Sequence, residues 1–361
     1  MSRPGVTASL LAGVALLALP LAPRAQPRYP GAPAVRSGSL TDVDGIEVGH
    51  AVMAGRPTGC TVVLTRSGAV AGVDVRGAAP GTRETDVLDP TNSVSSVHAI
   101  VFSGGSAFGL DSATGVMRYL DKEGIGFRVG RAIVPIVPAA VLLDLGVGDG
   151  SIRPDADCGH RAASSASRTT VPQGNVGAGA GATVGKARGL AHAMKGGVGS
   201  ASVTLSDGIT VAALVAVNAW GDIVDPSTGQ LVAGTRTDGG SALADVRTLL
   251  RTSTLARPFG SNTTLGIVAT NATLTKTQAT LIARMAHDGL ARTIVPSHTP
   301  YDGDTIFTLS TGTTGGATPD LALLGALAAE VIADAVLNAV RAAESLPGLP
   351  SARDLPTSPE P

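Results

Sequence analysis

The side chains best placed by type and spacing to do chemistry lie in a few short segments. The first is Asn262-Thr263-Thr264-Leu265-Gly266-Ile267-Val268-Ala269-Thr270-Asn271. It follows the loop-like run Arg257-Pro258-Phe259-Gly260-Ser261 and reads as a strand rich in β-branched and aliphatic residues. A hydroxyl residue where a loop becomes a buried strand suits a self-cleaving precursor. If the Asn262–Thr263 bond breaks, Thr263 gains a free α-amine beside its own hydroxyl. With a reference pKa of about 7.7–8.0, that amine is a base near neutral pH. Threonine also suits the cleavage itself, because its hydroxyl can attack the preceding carbonyl to give an ester while its β-branch restricts χ1. Taken alone, the segment also reads as an ordinary strand that begins with threonine.

Other polar groups are out of keeping with their surroundings. Lys186 closes the otherwise uncharged, glycine-dense stretch that begins at Gly174; the alternative is a solvated loop lysine. Asn218 ends the apolar run Ala216-Val217-Asn218-Ala219, where it could equally cap a strand. Asp302 and Asp304 flank Gly303 just ahead of the strand-like Thr305–Leu309. A plain surface turn and a calcium loop are the alternatives there, and two acids so close can share one proton and titrate as a pair.

Several chemistries are excluded. A phosphate loop ending at Gly185-Lys186 would need glycine where Ala180 stands and Ser or Thr where Ala187 follows. No Gly-x-Ser-x-Gly elbow occurs, and His98, His160, His192, His287 and His298 show no His-Glu-x-x-His pattern. His287 and His298 are expected to pack or cap near the site. Cys60 and Cys158 lack zinc-site spacing and allow one disulfide at most. A net charge of −1 with 15% charged residues gives no nucleic-acid footprint. No cofactor and no metal are expected.

The elements that must position these groups come next. Residues 1–25 carry Arg3, an apolar stretch from Val6 to Leu21 and a small-residue exit at Ala22 or Ala25, the pattern of a secretory signal peptide. Pro20 and Pro23 break the run, against a membrane anchor, so a periplasmic or secreted protein with no membrane contact after leader removal is expected. Residues 26–39 read as a linker. Strands are expected at Thr61–Leu64, Ala69–Val75, His98–Phe102, Ala201–Leu205, Thr210–Val217, Thr263–Ala269 and Thr305–Leu309. Helices are expected after Gly104-Gly105-Ser106, over Asp155–Ser167, over Leu274–Leu290, and from Pro319, capped by Thr318, to about Glu344. The tail 346–361 is Pro-rich and expected to be disordered. With no regular β-α alternation, the pattern argues for layered α/β packing over a parallel Rossmann sheet. Glycine at 47 residues and few aromatics imply a core of Ala, Val, Leu and Ile with close approach between elements.

Six blocks together resemble the family of D-/β-aminopeptidases and the nylon-oligomer hydrolase. They are Thr41-Asp42-Val43-Asp44-Gly45-Ile46; Gly72-Val73-Asp74-Val75-Arg76-Gly77 with Pro80-Gly81-Thr82-Arg83-Glu84; Ser103-Gly104-Gly105-Ser106-Ala107-Phe108-Gly109-Leu110; Gly174-Asn175-Val176-Gly177-Ala178-Gly179 running to Lys186; the Asn262-Thr263-Thr264 strand; and Asp302-Gly303-Asp304-Thr305-Ile306-Phe307. The resemblance implies an α/β fold, a four-layer α-β-β-α sandwich over residues 40–345. It forms one domain, cut at Asn262/Thr263 into an α chain to 262 and a β chain from 263. It implies Thr263 as N-terminal nucleophile and Lys186 beside it, keeping the α-amine neutral or holding a substrate oxygen. Asn218 would lie at the oxyanion, and Asp302 and Asp304 would orient the amine and relay protons. Where the family often has a tyrosine donor, the matching position is Leu143. The missing donor would be replaced by backbone N–H groups of Gly104 or Gly105, with Ser106 alongside. Glu84, or Asp86 in the same loop, is the candidate acid for a substrate amine. The expected activity is an exported, self-processing amidohydrolase that releases small N-terminal residues, D- or β-configured ones included, from peptides and amides. Endo-hydrolysis of ω-amino-acid oligomers, acyl transfer as in ornithine acetyltransferases, and a non-enzymatic binding protein stay open. Relatives imply a homo-oligomer, a homotetramer.

Overall fold

The structure is a computed structural model that describes Met1 and residues 35–240, 242–252, 255, 262–314 and 320–355. The expected leader, most of the 26–39 linker, the run Arg257–Ser261, and Thr318 and Pro319 lie outside these residues. Among the described residues, nine strands form one continuous ladder. In chain order they are β1 Glu47–Val52, β2 Gly59–Val75, β3 Thr82–Arg83, β4 Val97–Ser103, β5 Ala139–Val141, β6 Gly197–Thr204, β7 Thr210–Asn218, β8 Thr263–Thr270 and β9 Thr305–Ser310. The spatial order is β6-β7-β8-β9-β2-β4-β5-β3, with β1 also on β2.

Strand β2 makes two layers of this ladder. Its first half pairs with β1 and β4, its second half with β9. Between them Gly68 takes φ 81° and the register shifts, so the strand leaves one sheet and enters the other. The two runs expected at Thr61–Leu64 and Ala69–Val75 are therefore one strand. The two sheets face each other across an apolar layer that includes Ile100 and Phe102 from β4, Leu214 from β7, Ile267 from β8 and Phe307 from β9.

Helices cover the outer faces. α1 (Ser112–Lys122) and α2 (Ala156–Ser164) pack on one sheet through Val116, Leu120 and Ala162 against Val62 and Val101. After α3 (Val246–Thr252), α4 (Lys276–Thr293) and α5 (Leu321–Ala342) cover the other sheet through Ile282, Leu290, Val331 and Val336 against Val215, Val268 and Ile306. Burying each such side chain contributes about 1.5–3 kcal/mol. Glycine permits the close approach: a Cβ on Gly199 of β6 would lie 2.1 Å from the Ala335 carbonyl oxygen of α5. The result is the expected four-layer α-β-β-α sandwich. A disulfide joins Cys60 of β2 to Cys158 of α2, with Cα atoms 6.2 Å apart.

Some boundaries differ from expectation. Helix α5 is capped by Asp320, whose carboxylate accepts from the N–H groups of Ala322 and Leu323, and it ends at Ala342. The end of the expected linker is anchored, because Arg36 pairs with Glu330 and Asp334 of α5 at 2.6 and 3.1 Å. The first part of the expected disordered tail is also folded. Leu346 and Leu349 bridge, Leu349 and Ser351 are buried, and the Pro350 carbonyl accepts from Lys195 N–H at 2.9 Å. These backbone bonds hold the Pro-rich segment that composition alone marks as unstructured.

Candidate active site

Strand direction gathers the polar groups. β8 and β9 run parallel, so the segments leading into them open at the same end of the sheet. β7 and β8 run antiparallel, so the end of β7 meets the start of β8, and Asn218 stands opposite Thr263. β2 runs antiparallel to β9, with Val75 opposite Thr305, which brings the Gly72–Gly77 block to the same end. Alternation sets the facing. Leu265, Ile267 and Ala269 of β8 and Ala212, Leu214 and Ala216 of β7 point between the sheets, while Val268 and Val215 point to α4 and α5. By the same period of two, the side chains of Thr263 and Asn218 face the gap between the sheets at its rim.

Thr263 is buried, and its hydroxyl donates to the carbonyl oxygen of Asn262, the residue before it. The nearby Gly303 leaves it room: a Cβ there would lie 2.8 Å from Thr263 Oγ1 and 2.5 Å from the Ala79 carbonyl oxygen. Asn262 is buried too and donates through Nδ2 to the Tyr301 carbonyl at 3.3 Å.

Asn218 is fully buried. Its Oδ1 accepts from Thr183 N–H at 2.9 Å and from Lys186 Nζ at 2.9 Å, and its Nδ2 donates to the Leu143 carbonyl at 3.0 Å. A backbone N–H can only donate, which fixes the orientation of this amide. Nδ2 carries two hydrogens, of which Leu143 takes one. Lys186 Nζ also donates to the Asn218 carbonyl at 3.1 Å. Burial pulls the Lys186 ammonium down to about 7, against the charges of Asp302 and Asp144 that favour it.

Asp302 accepts through Oδ1 from Trp220 N–H at 3.3 Å and through Oδ2 from Thr299, both N–H (3.2 Å) and hydroxyl. Burial, then the charge of Asp304, pushes its carboxyl up to about 6. Asp304 accepts from Thr264 N–H at 2.7 Å through Oδ1 and from His298 through Oδ2. Burial thus moves Lys186 down and Asp302 up, each toward neutrality.

The structure brings together Thr263, Asn262, Asn218, Lys186, Asp302 and Asp304, but it corrects the expected backbone donors. Gly104 N–H donates to the Gly59 carbonyl (2.9 Å), Gly105 N–H to Asp144 Oδ1 (2.8 Å) and Ser106 N–H to the Leu142 carbonyl (3.0 Å). All three are engaged in fixing their own turn, so none stands ready for an oxyanion. Glu84 is exposed, with φ 58°, and its carboxylate accepts from Val137 N–H at 3.0 Å; among the described residues it makes no hydrogen bond to Thr263. Asp86 is exposed as well. Leu143 is half-buried beside Asn218.

Sequence reasoning missed several supports. Asp144 is buried against Arg56 at 2.8 Å and accepts from Thr58 Oγ1 at 2.5 Å, and so ties the Gly104–Ser106 turn to the residues before β2. Its signal was a lone acid after the apolar Val141-Leu142-Leu143. Lys195 is fully buried and donates to the carbonyls of Gly179, Ala182 and Gly196 at 2.8–2.9 Å. Like Lys186, it is a lysine in an uncharged, glycine-flanked run.

Known proteins resemble this chain in sequence and fold. The model of peptidase family S58 matches residues 38–353. An uncharacterised aminopeptidase of Mycobacterium tuberculosis is 44% identical over 343 residues, covering 88% of this chain and 97% of the relative. The 6-aminohexanoate-oligomer endohydrolase of a Kocuria species is 31% identical over 313 residues, covering 83% and 85%. Among solved structures, the L-aminopeptidase D-Ala-esterase/amidase of Ochrobactrum anthropi superposes with a TM-score of 0.65 at 20% identity, covering 87% and 90%, and is described as a variant of the Ntn hydrolase fold. A Burkholderia β-aminopeptidase superposes with a TM-score of 0.63 at 23% identity, covering 84% and 86%. The fold is that of the Ntn hydrolase aminopeptidases, and the chain belongs to peptidase family S58.

Proposed function

We propose that this peptidase-family enzyme cleaves its own chain between Asn262 and Thr263 and then uses Thr263 as an N-terminal nucleophile on small peptides and amides. The observation that carries the reading is the Thr263 hydroxyl held on the carbonyl of Asn262. In the precursor, Oγ1 attacks that carbonyl carbon, the C–N bond to Thr263 breaks, and the acyl group passes to oxygen as an ester. Water then hydrolyses the ester, leaving a carboxylate on Asn262 and a free α-amine on Thr263. In turnover, that amine takes the proton from Oγ1 as Oγ1 attacks the substrate carbonyl. The leaving amine takes a proton as the acyl-enzyme forms, and water releases the acid.

The other groups then have defined tasks. Lys186, titrating near neutrality, disfavours protonation of the α-amine and shares protons with Asp302. The second N–H of Asn218 is the donor for the tetrahedral oxygen. Asp304 sets the start of β8 through Thr264 N–H.

The substrate is read as a short peptide or amide from which a small N-terminal residue is released, in line with the aminopeptidase names of the relatives. Endo-hydrolysis of ω-amino-acid oligomers is the second reading. It is favoured by the relative that carries that activity in its name and by Leu143, an apolar side chain next to Asn218. We read the enzyme as exported, with the 1–25 leader removed; a Cys60–Cys158 disulfide suits an oxidising compartment. A homo-oligomer is the expected assembly.

The test is the denatured mass of the purified protein together with turnover of aminoacyl p-nitroanilides. Two fragments meeting at Asn262/Thr263 are expected. Thr263→Ala should stay uncut and inactive, and Thr263→Ser should be cut and retain some activity. A cut, active Thr263→Ala protein would sink the assignment. Preference for an amine acceptor over water would move the reaction to acyl transfer.

A further inference from the structure

His298 lies in the turn before β9, with a backbone φ of 54°. This left-handed conformation directs both its backbone N–H (3.0 Å) and its ring Nδ1 (2.8 Å) at one atom, Asp304 Oδ2. The other oxygen, Oδ1, takes Thr264 N–H from the strand that begins with Thr263. The Asp304 carboxylate is therefore held from the nucleophile strand on one side and from His298 on the other.

The partners of the two acids differ in kind. Asp304 faces N–H groups of Thr264 and His298 together with ring Nδ1. A backbone N–H cannot accept the proton of a carboxylic acid. Asp302 also takes backbone N–H groups, from Trp220 on Oδ1 and Thr299 on Oδ2, but on Oδ2 it has in addition the hydroxyl of Thr299, which can donate to a carboxylate or accept from an acid. The His298 ring supports the same assignment. Its Nε2 is buried with no hydrogen-bond partner. A neutral ring with its proton on Nδ1 leaves only a lone pair at Nε2. An imidazolium, or the opposite tautomer, would bury an unpaired N–H at a cost of about 1–3 kcal/mol. Beside it stands His287, with ring centroids 4.8 Å apart and planes at 72°. Burial pushes His287 down to about 4, so it brings no charge to the pair near neutrality.

We propose that His298 is a positioning residue whose Nδ1–H fixes Asp304 as the anion against Thr264 N–H, which leaves Asp302 as the acid that takes up and returns protons during turnover. The proposal rests on the reading of Thr263 as nucleophile. The charged or titratable groups facing the acid pair and the histidines are Lys186 from the loop after Val184, His287 from α4, and Asp74 and Arg76 from the end of β2. All of them stay in place when only His298 changes.

The experiment compares pH profiles of kcat/KM for the wild type, His298→Gly and His298→Asn on an aminoacyl p-nitroanilide that the wild type cleaves, with Thr263→Ala as control. Glycine keeps the left-handed backbone and removes the ring. Asparagine also tolerates positive φ and places an N–H near the position of Nδ1. With the donor gone, Asp304 competes for the proton. The acidic limb of His298→Gly is expected to move up by about one pH unit, a loss of about twofold at pH 7 that approaches about tenfold at pH 5. His298→Asn should recover most of that loss. A His298→Gly enzyme with the wild-type limb and rate overturns the proposal. If the variants fold poorly, nitrogen NMR of the wild-type ring decides: a proton on Nδ1 at pH 7 supports the assignment, and a proton on Nε2 overturns it. An active Thr263→Ala protein would bring down the nucleophile reading itself. A dead Thr263→Ala protein with an unmoved His298→Gly profile removes only the role of His298.

Discussion

Asn218 and Thr263 stand opposite each other across the antiparallel ladder of β7 and β8, and Asn218 Oδ1 receives the Lys186 ammonium at 2.9 Å. The amide therefore links the strand that carries the hydroxyl to the one lysine that burial brings near neutrality at this rim. Burial lowers that lysine, and a neutral acceptor at this point opposes the shift less than a carboxylate would.

Asn218→Asp tests that link. It keeps an oxygen for Thr183 N–H and Lys186 but adds a negative charge and loses both Nδ2 hydrogens, the one on Leu143 and the one assigned to the tetrahedral oxygen. A close carboxylate favours an ammonium by about 1–3 pKa units. Activity should fall with the lost donor at every pH, and the acidic limb of kcat/KM, followed from pH 6 to 10, should in addition shift upward by about one unit as Lys186 holds its proton to higher pH. An unshifted limb would mean that the charge state of Lys186 does not govern turnover.

Gly303→Ala tests the geometry at the hydroxyl. The added Cβ would meet the Ala79 carbonyl oxygen at 2.5 Å and Thr263 Oγ1 at 2.8 Å, and neither is the far end of a flexible chain. Overpacking of this kind costs about 1–3 kcal/mol in stability. Displacement of the nucleophile should be felt more in rate, by about 100-fold. Chain cleavage followed by mass, and p-nitroanilide turnover, should both slow. A variant that cleaves and turns over at wild-type rate would place the working hydroxyl away from Gly303.

What could be read from the sequence was local. Thr263, Asn218 and the Asp302/Asp304 pair stand at strand ends, where an apolar run stops at a polar residue, and the strand pattern itself gives their positions. The layering followed from strands and helices without regular alternation. The rest depends on partners remote in the chain. Asp144 works through Arg56, Thr58 and Gly105, which lie 88, 86 and 39 residues away. The N–H groups of Gly104 and Gly105 looked free because their acceptors, Gly59 and Asp144, reach them only once β2 and β5 have packed beside β4. His298 was expected to pack or cap near the site, and it does sit on Asp304, but its left-handed backbone gave no signal, because a positive φ in a non-glycine residue is set by the turn that holds it and is not written in the residue type. The Thr318 cap was a reasonable local reading, but Asp320 begins the helix.

Lys195 allows a prediction on stability that does not depend on the substrate. It is wholly buried on three carbonyls, and burial pulls its ammonium down to about 7, as it does for Lys186. In the unfolded chain both lysines titrate near 10.4. Between about pH 7 and 10 the unfolded state therefore binds more protons than the folded one, so stability rises with pH across this window. Each lysine contributes at most about 1.4 kcal/mol per pH unit. Below about pH 7 both states are charged, and the full cost of burying the ammonium remains. Lys195→Met removes one of these contributions and leaves three carbonyls without their donor. Its Tm at pH 7 should fall, because each stranded acceptor costs about 1–3 kcal/mol while the relieved ammonium returns only part of that. Its Tm should also climb less between pH 7 and 9 than that of the wild type, as measured by calorimetry. Equal slopes for the two proteins would mean that Lys195 is already charged, or already solvated, in the folded state.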